Sequence, residues 1–274
     1  TLYNTYCDLH TKSDPNFNKF ALLQKKLINK AISLNPKLSA LYSIKAEIDR
    51  WFGNKKEYLD DIVYAYQLDS TRVENIFMMG RLYHSINLFG KAIQKFDRAI
   101  SRDPIYAFYY AKRAWTYYRM GELAKAESDF LKALTIDSTS IIANWEYFIF
   151  LLSTKRVDEA EIISSRLLKL TPLYSDAVKA VMAAARGKKE MALSYTKIPR
   201  QQKMNVYLLL KMKEEALALL EKNPSVFVWD SICFYKILIR DPLFAFLRSD
   251  PRFQKIVENQ RKLYDYYVHK YGDV

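Results

Sequence analysis

Residues 73–106 of this chain read VENIFMMGRLYHSINLFGKAIQKFDRAISRDPIY, residues 107–140 read AFYYAKRAWTYYRMGELAKAESDFLKALTIDSTS, and these adjacent segments decide the fold. The two segments are equal in length, and each places small, aromatic and helix-ending residues at the same steps. The matching pairs are Gly80 and Ala114, Tyr83 and Tyr117, Ala92 and Ala126, Phe96 and Phe130, and Pro104 and Ser138. A fixed period of about 20–50 residues predicts an array of stacked supersecondary units.

The same step continues on both sides of this pair. One column of the register contains Ala65, Ala99, Ala133 and Leu167, and a second contains Leu68, Ile136 and Leu170 but is interrupted by Arg102. Clear units are predicted at 39–72, 73–106, 107–140 and 141–174, and degenerate units at 5–38 and 175–199. Residues 1–199 are therefore predicted to form a repeat array, which irregular helices in residues 200–274 would cap.

The spacing of these residues resembles the tetratricopeptide repeat (TPR) family. The resemblance implies an all-α fold, a right-handed superhelix of antiparallel helix hairpins. The first helix of each unit, helix A, would line the concave face, and the second, helix B, the outer face. Small residues such as Gly80 and Ala126 would let the two helix axes approach, and large ones would fill the grooves between hairpins. Only six glycines and eight prolines occur in 274 residues, which also favours helices over a turn-rich β fold.

The C-terminal part is predicted to depart from the repeat. An apolar helix is expected at 226–239, and the dipeptides Asp241-Pro242 and Asp250-Pro251 each predict a helix start, since aspartate caps free amides and proline fits the first turn. Residues 243–253 resemble the segment that ends such arrays in bacterial signalling and regulatory proteins. That resemblance implies a regulatory context, in which the array is often fused to a DNA-binding or nucleotide-cyclase domain.

The sequence offers little that predicts catalysis. His10, His84 and His269 have no partners at the spacing of metal ligands, and neither a phosphate-binding loop nor a nucleophile-elbow pattern occurs. The paired carboxylates, of which Asp60-Asp61 is typical, are interpreted as solvated helix faces. Cys233 is interpreted as a small buried residue of the apolar helix. We therefore predict that the chain is not an enzyme and needs no cofactor or metal.

The sequence gives only limited information about membrane association and cellular compartment. Because no run of 18 or more apolar residues occurs, no membrane span is predicted. Cys7 and Cys233 are too few for a disulfide framework, which favours the cytoplasm and leaves the periplasm open. The start at Thr1 rather than methionine is interpreted as a sign of an excised domain or a processed form.

The resemblance places candidate binding residues on the concave face. In a TPR unit the second, fifth, ninth and twelfth positions of helix A point inward. The candidates selected from these positions are Glu47, Arg50, Phe77, Arg81, His84, Phe108, Trp115, Tyr118, Ile142, Trp145 and Ile149. Clustered apolar side chains on a surface commonly mark binding sites, so the predicted partner is a protein or peptide segment with apolar side chains. The basic clamp of chaperone-binding members is absent, since Ser43, Phe77 and Ala111 occupy the fifth positions.

Two alternatives to an open binding groove remain at this stage. In the first, the chain is a regulatory or sensor domain of a larger bacterial protein, and its own C-terminal helices cover the groove. In the second, the basic surface binds nucleic acid, because 43 basic and 30 acidic residues give a net charge of +13. The second is less favoured, since the inward positions of the units differ from one another and form no repeated code for bases.

Overall fold

Helices form all the regular structure of residues 15–222 and 232–274, which are the residues that the computed structural model describes. In chain order the α-helices are α1 (Pro15–Leu34), α2 (Ser39–Phe52), α3 (Lys55–Leu68), α4 (Val73–Ser85), α5 (Phe89–Arg102), α6 (Ala107–Met120), α7 (Leu123–Ile136), α8 (Ile141–Ser153), α9 (Val157–Leu170), α10 (Ser175–Ala185), α11 (Lys189–Ser194), α12 (Arg200–Leu209), α13 (Lys213–Lys222), α14 (Tyr235–Arg240) and α15 (Pro251–Tyr271). Two 3₁₀ helices, Pro172–Tyr174 and Pro242–Leu247, precede α10 and α15. Cys7, His10 and the first part of the predicted unit 5–38 lie outside the described residues.

The repeat register appears directly in the helix boundaries. The A helices α2, α4, α6 and α8 begin at residues 39, 73, 107 and 141, and the B helices α3, α5, α7 and α9 begin at 55, 89, 123 and 157. Each A helix packs against the B helix that follows it, and each hairpin packs against the next one. The A helices also contact one another along the array: α2 contacts α4, and α6 contacts α8. These contacts build one continuous inner layer of A helices.

The turn between helices A and B has the same backbone in all four clear units. Gly53, Asn87, Gly121 and Lys155 occupy the equivalent position of successive units and have φ angles of 79°, 62°, 86° and 63°. This left-handed conformation lets the amides after the helix bond back to its last carbonyls, as Gly53 N does to Arg50 O at 3.1 Å. Two of these four residues, Asn87 and Lys155, are not glycines. The conformation is therefore imposed by the packing of the hairpin, even on a lysine.

Small residues on the facing sides of each hairpin are fully buried. The alanines at 46, 92, 114, 126 and 160 have no exposed surface. The closest approach occurs at Gly80, where a β-carbon would lie 2.5 Å from Cε1 of Phe96 on the partner helix. Phe96 is itself fully buried, so its ring has little space into which it can move. The short distance between the two helix axes at this point therefore requires that residue 80 has no side chain.

Replacing Gly80 with leucine is expected to destabilise the protein by about 1–3 kcal/mol, because the new side chain must displace the Phe96 ring. Gly90 provides a matched control, since it is also helical but a β-carbon there meets nothing within 4 Å. The control substitution Gly90→Leu should leave stability unchanged or raise it by about 0.5–1 kcal/mol through helix propensity. Urea unfolding of both variants measures the difference, and equal midpoints would contradict the register.

In its described part, the predicted helix over 226–239 is confirmed for residues 235–239 and wrong for residues 232–234. Residues 232–234 are not helical, and α14 starts only at Tyr235. The amides of Ile232 and Cys233 both donate to the carbonyl of Ser85, at 2.9 and 3.0 Å, at the end of α4. Cys233 is nevertheless fully buried, as predicted. Tertiary hydrogen bonds to the repeat array thus replace the local helical ones in this segment.

Both predicted aspartate caps are confirmed. The carboxylate of Asp241 accepts a hydrogen bond from the amide of Leu243 at 3.0 Å, and that of Asp250 accepts one from Arg252 at 2.8 Å. Hydrogen bonds from Lys213 and Arg252 outweigh desolvation and lower the pKa of Asp250 to about 2. Asp250 therefore starts α15 as a charged cap throughout the neutral range.

The end of α15 docks on the first two clear units. Tyr271 donates its hydroxyl to Oδ1 of Asp60 at 2.7 Å, and Lys270 bonds the same oxygen at 3.1 Å. Burial and the Asp60 carboxylate raise the pKa of Tyr271 to about 12. The interpretation of Asp60-Asp61 as merely solvated is therefore wrong, because Asp61 is also bonded, to Lys45. Further along, Tyr83 donates to the carbonyl of Val274.

Among residues 15–222 and 232–274, no helix is both long and apolar enough to cross a bilayer. The division of the chain into an array at 1–199 and a cap at 200–274 remains a prediction.

Candidate functional site

A cavity of about 150 Å³, which we call the central cavity, lies on the inner side of the A helices. It is bounded on the other side by α12, α14 and the 3₁₀ helix Pro242–Leu247, which together we call the C-terminal segment. One wall comes from α2, α4, α6 and α8, and the opposite wall comes from α12, α14 and the 3₁₀ helix Pro242–Leu247. The array side includes Glu47, Arg50, Arg81, Phe108, Lys112, Trp115, Tyr118, Arg119, Ile141, Ile142, Trp145, Glu146, Ile149, Ser153, Thr171 and Tyr174, and the opposite side includes Gln201, Gln202, Asn205, Leu208, Ile237, Asp241, Leu243 and Phe244. The concave face is thus enclosed in part by the protein's own C-terminal segment.

Nine of the eleven predicted site residues line this cavity, namely Glu47, Arg50, Arg81, Phe108, Trp115, Tyr118, Ile142, Trp145 and Ile149. The structure thereby brings together residues from four A helices, of which the first and last, Glu47 and Ile149, are 102 positions apart in sequence. Whether they form a partner surface stays a prediction.

Phe77 and His84 do not line the cavity. The ring of Phe77 packs against those of Phe96, at 5.6 Å between centroids, and Tyr109, at 4.7 Å. His84 is buried, with Nδ1 2.8 Å from the hydroxyl oxygen of Thr116. Phe77, expected on the concave face, therefore packs helix A on helix B instead. An aromatic ring at the fifth position is large enough to reach the neighbouring B helix.

The depth of the predicted residues varies along the wall. Trp115 and Tyr118 expose only 6% and 8% of their surface, so they form the floor. Ile142, Trp145 and Ile149 on α8 are half-buried. The part of the wall that a large partner can reach is therefore concentrated on α8.

Opposite charges at equivalent positions of neighbouring units join the A helices. Glu47 pairs with Arg81, and Lys112 pairs with Glu146 at 2.6 Å, and the partners of both pairs lie 34 positions apart. All four side chains are largely buried. Sequence reasoning missed Lys112 and Glu146 as site residues. Complementary charges one full period apart are the signal that could have found them.

Arg119 links the two walls through an ion pair. Its guanidinium lies 2.7 Å from Oδ2 of Asp241, and the two side chains are 8% and 7% exposed. It also lies 4.6 Å from the ring centroid of Trp115, and the hydroxyl of Tyr118 donates to Asp241 at 3.3 Å. Burial and the neighbouring Asp241 carboxylate raise the pKa of Tyr118, which keeps the hydroxyl protonated. The C-terminal segment is thus fixed to the floor of the cavity through one carboxylate.

The described part of the cavity wall presents apolar surface and hydrogen-bonding groups. Within the described ranges, no group of three or more His, Cys, Asp or Glu side chains could hold a metal ion. Burial raises the pKa of the Cys233 thiol to about 11, so its reactive thiolate form is scarce at neutral pH.

The repeat units match known family models. The segments 73–106 and 107–140 each match a model described as tetratricopeptide repeat, and each match covers one helix hairpin, α4–α5 or α6–α7. The chain contains tetratricopeptide repeats. The matches agree with the left-handed turns and the buried small residues that recur once in each unit.

Solved structures of other TPR proteins have a similar fold. A tetratricopeptide repeat protein from Parabacteroides merdae ATCC 43184 superposes with a TM-score of 0.54 at 17% identity, over 86% of this chain and 91% of that one. PilW, described as a type IV pilus biogenesis factor, gives a TM-score of 0.53 at 16% identity, over 70% and 87% of the two chains. The pilF protein of Pseudomonas aeruginosa gives 0.50 at 15% identity, over 75% and 91%. At such identities the likeness establishes the fold.

The predicted fold class, an all-α TPR-like superhelix of helix hairpins, is therefore confirmed. The second resemblance, of residues 243–253 to segments in bacterial signalling proteins, stays a prediction.

Proposed function

We propose that this chain is a non-catalytic scaffold that binds a protein or peptide segment along the inner layer of A helices. TPR arrays are suited to this role, because their stacked units form an extended concave surface. The observation that carries the proposal is the half-buried apolar row on α8, made of Ile142, Trp145 and Ile149, beside Phe108 on α6. These side chains are packed on one side without a partner, and a partner that covers them would remove their remaining apolar surface from water, which is favourable.

The deeper predicted residues would support this row rather than anchor the partner. Glu47 and Arg81 hold α2 against α4, and Trp115 forms the floor beneath α8. An apolar side chain of the partner would rest on Trp145 and displace water from its face. Truncating an aromatic residue at the centre of an interface commonly costs about 2 kcal/mol or more of binding free energy, which is roughly a 30-fold loss of affinity.

Replacing Ile142 with glutamate is expected to abolish retention of a protein partner from the native host, because a charge would lie in the apolar contact. The matched control is Ile162→Glu on helix B, where the isoleucine is 66% exposed on α9 and does not line the cavity. Quantitative affinity capture with the wild-type chain and both variants gives the comparison. Circular dichroism confirms that both variants are folded.

Two results would contradict the proposal. If the control loses the same partners as Ile142→Glu, then the effect does not come from the concave face. If partners are lost instead when the exposed Lys188 and Lys189 are replaced by glutamate, then the basic surface is the binding site.

A second proposal is that the C-terminal segment regulates access to the concave face, as in a sensor domain. It is supported by the Arg119–Asp241 pair and by the position of Leu243 and Phe244 in the cavity wall. In this proposal, the partner binds only after the segment has moved away. A variant that breaks the pair but stays folded should then bind its partner more tightly, whereas unchanged affinity would count against regulation.

A further inference from the structure

Four buried polar atoms in the central cavity have no hydrogen-bond partner in the described part of the chain. They are Nε1 of Trp115, Nε of Arg119, Oγ1 of Thr171 and Oε1 of Gln202. All four side chains line the cavity, and each is more than nine-tenths buried. A buried polar atom left without a partner costs about 1–3 kcal/mol, so such atoms are rare in folded proteins. Four in one cavity indicate that it is built to receive a polar molecule.

The four atoms include both donors and an acceptor. The Trp115 and Arg119 nitrogens can only donate, the Gln202 oxygen accepts, and the Thr171 hydroxyl can do either. They come from both sides of the cavity, with Trp115 and Arg119 on α6 and Gln202 on α12. A ligand that satisfies them needs acceptor and donor atoms together. An amide group or a set of hydroxyls has this property, whereas an aliphatic chain does not.

The charges of the cavity wall are already compensated within the protein. Arg50 and Arg81 share Glu47, Lys112 pairs with Glu146, and Arg119 pairs with Asp241. These seven side chains, four cationic and three anionic, leave a net charge of only +1. A charged ligand would lose part of its hydration without gaining an unpaired counter-charge, which is unfavourable in a partly enclosed site. The wall therefore selects against charged ligands, and most strongly against cations.

The size and walls of the cavity suit a single ring. Its volume of about 150 Å³ equals that of an engineered apolar protein cavity that binds benzene. The rings of Trp115 and Trp145 offer flat apolar faces in the array wall, and Phe244 faces the cavity from the C-terminal segment. A planar or puckered ring can pack between such surfaces while its polar edge bonds to the donors and acceptor.

We infer that the central cavity binds a small uncharged molecule that consists of one ring with a polar head able to donate and accept hydrogen bonds. This site shares Trp145 with the proposed protein-binding row on α8, but its polar contacts come from α6, α12 and Thr171, which lie outside that row. The two functions can fail separately, since the small-molecule site can be measured without any protein partner.

Three probes of nearly equal shape test the inference on the whole chain. Benzamide is neutral, benzoate carries a negative charge and benzamidine a positive charge on the same planar frame. Ligand-detected NMR titration at neutral pH is expected to give benzamide a Kd on the order of 1 mM, as suits so few atoms. Benzoate should bind more weakly, and benzamidine at least about tenfold more weakly than benzamide. Binding of all three with equal affinity, or of none, overturns the inference.

Substitutions of cavity residues test whether benzamide binds in the central cavity. Thr171→Val removes one of the four cavity atoms, and Thr135→Val is its matched control because the Thr135 hydroxyl is exposed and bonds only its own helix, at Leu131 O. Gln202→Leu removes the acceptor and keeps the size of the side chain. Thr171→Val and Gln202→Leu should each weaken benzamide binding about 3- to 10-fold, whereas the control leaves it unchanged.

Thermal unfolding of the variants in the absence of probe separates loss of binding from loss of fold. The two cavity variants should be no less stable than the wild type, because the atoms they remove have no protein partner. Benzamide binding that persists unchanged in both would place the probe elsewhere on the surface and overturn the inference.

Discussion

Replacing Arg119 with methionine is expected to lower the free energy of unfolding by about 3–5 kcal/mol. The substitution leaves Asp241 as a buried carboxylate without its counter-charge, and an uncompensated buried charge is among the most costly defects in a folded protein. It also removes the guanidinium that packs on Trp115. Urea unfolding followed by circular dichroism measures the change, and hydrogen exchange should show it first in α14 and the 3₁₀ helix Pro242–Leu247.

The double variant Arg119→Met with Asp241→Asn tests the cause. If the loss arises from the unpaired charge, then the double variant should recover a large part of the stability, because an apolar or neutral pair often replaces a buried ion pair at little cost. Arg261→Met is the control, since the pair of Arg261 with Glu258 is exposed and should contribute less than about 1 kcal/mol. A double variant as unstable as the single one would show that the pair does not act through charge.

Replacing Phe77 with alanine is expected to destabilise the protein by about 3–5 kcal/mol, as is usual for a large aromatic residue removed from a core. The ring contacts Phe96, Phe108 and Tyr109, so its loss leaves a void between two units of the array. Because neighbouring repeats stabilise each other, the effect should spread to both hairpins around α4.

The control for this substitution is Phe20→Ala on α1, where the ring is 43% exposed. Its expected effect is below about 1 kcal/mol, because much of its surface remains in water in the folded state. Thermal or urea unfolding of the two variants gives the comparison. Equal losses would mean that Phe77 belongs to a surface, as the sequence had suggested, and not to the core.

The repeat units could be predicted from the sequence because their packing is local and periodic. A small residue such as Ala126 and a ring such as Phe130 must recur at fixed steps for successive hairpins to stack, so the pattern is visible without structure. The left-handed turns at Asn87 and Lys155 could not be predicted, since neither residue type signals the conformation as glycine does. Periodicity identifies the position of the turn, but residue type alone does not.

The candidate site was only partly predictable, for a related reason. Nine inward residues were found because their positions follow the register, whereas Gln202 and Asp241 were missed because no period connects them to the array. The contact of Arg119 with Asp241 spans 122 residues and depends on the path of the C-terminal segment. Phe77 was misassigned because position within a unit gives the direction of a side chain but not its reach.

The hydrogen bonds from Lys270 and Tyr271 to Asp60 have a consequence for the order of folding, because they join residues 210 and 211 positions apart. An ordinary solenoid can fold unit by unit as it leaves the ribosome, since each unit needs only its neighbours. Here Asp60 in the first clear unit cannot contact Lys270 and Tyr271 until about 210 further residues have been synthesised. At about 5–20 residues per second, this synthesis takes roughly 10–40 s. Within that interval the floor at Trp115 and Tyr118 stays uncovered until the 3₁₀ helix Pro242–Leu247 has been synthesised, and the nascent chain is then most exposed to aggregation and to chaperones.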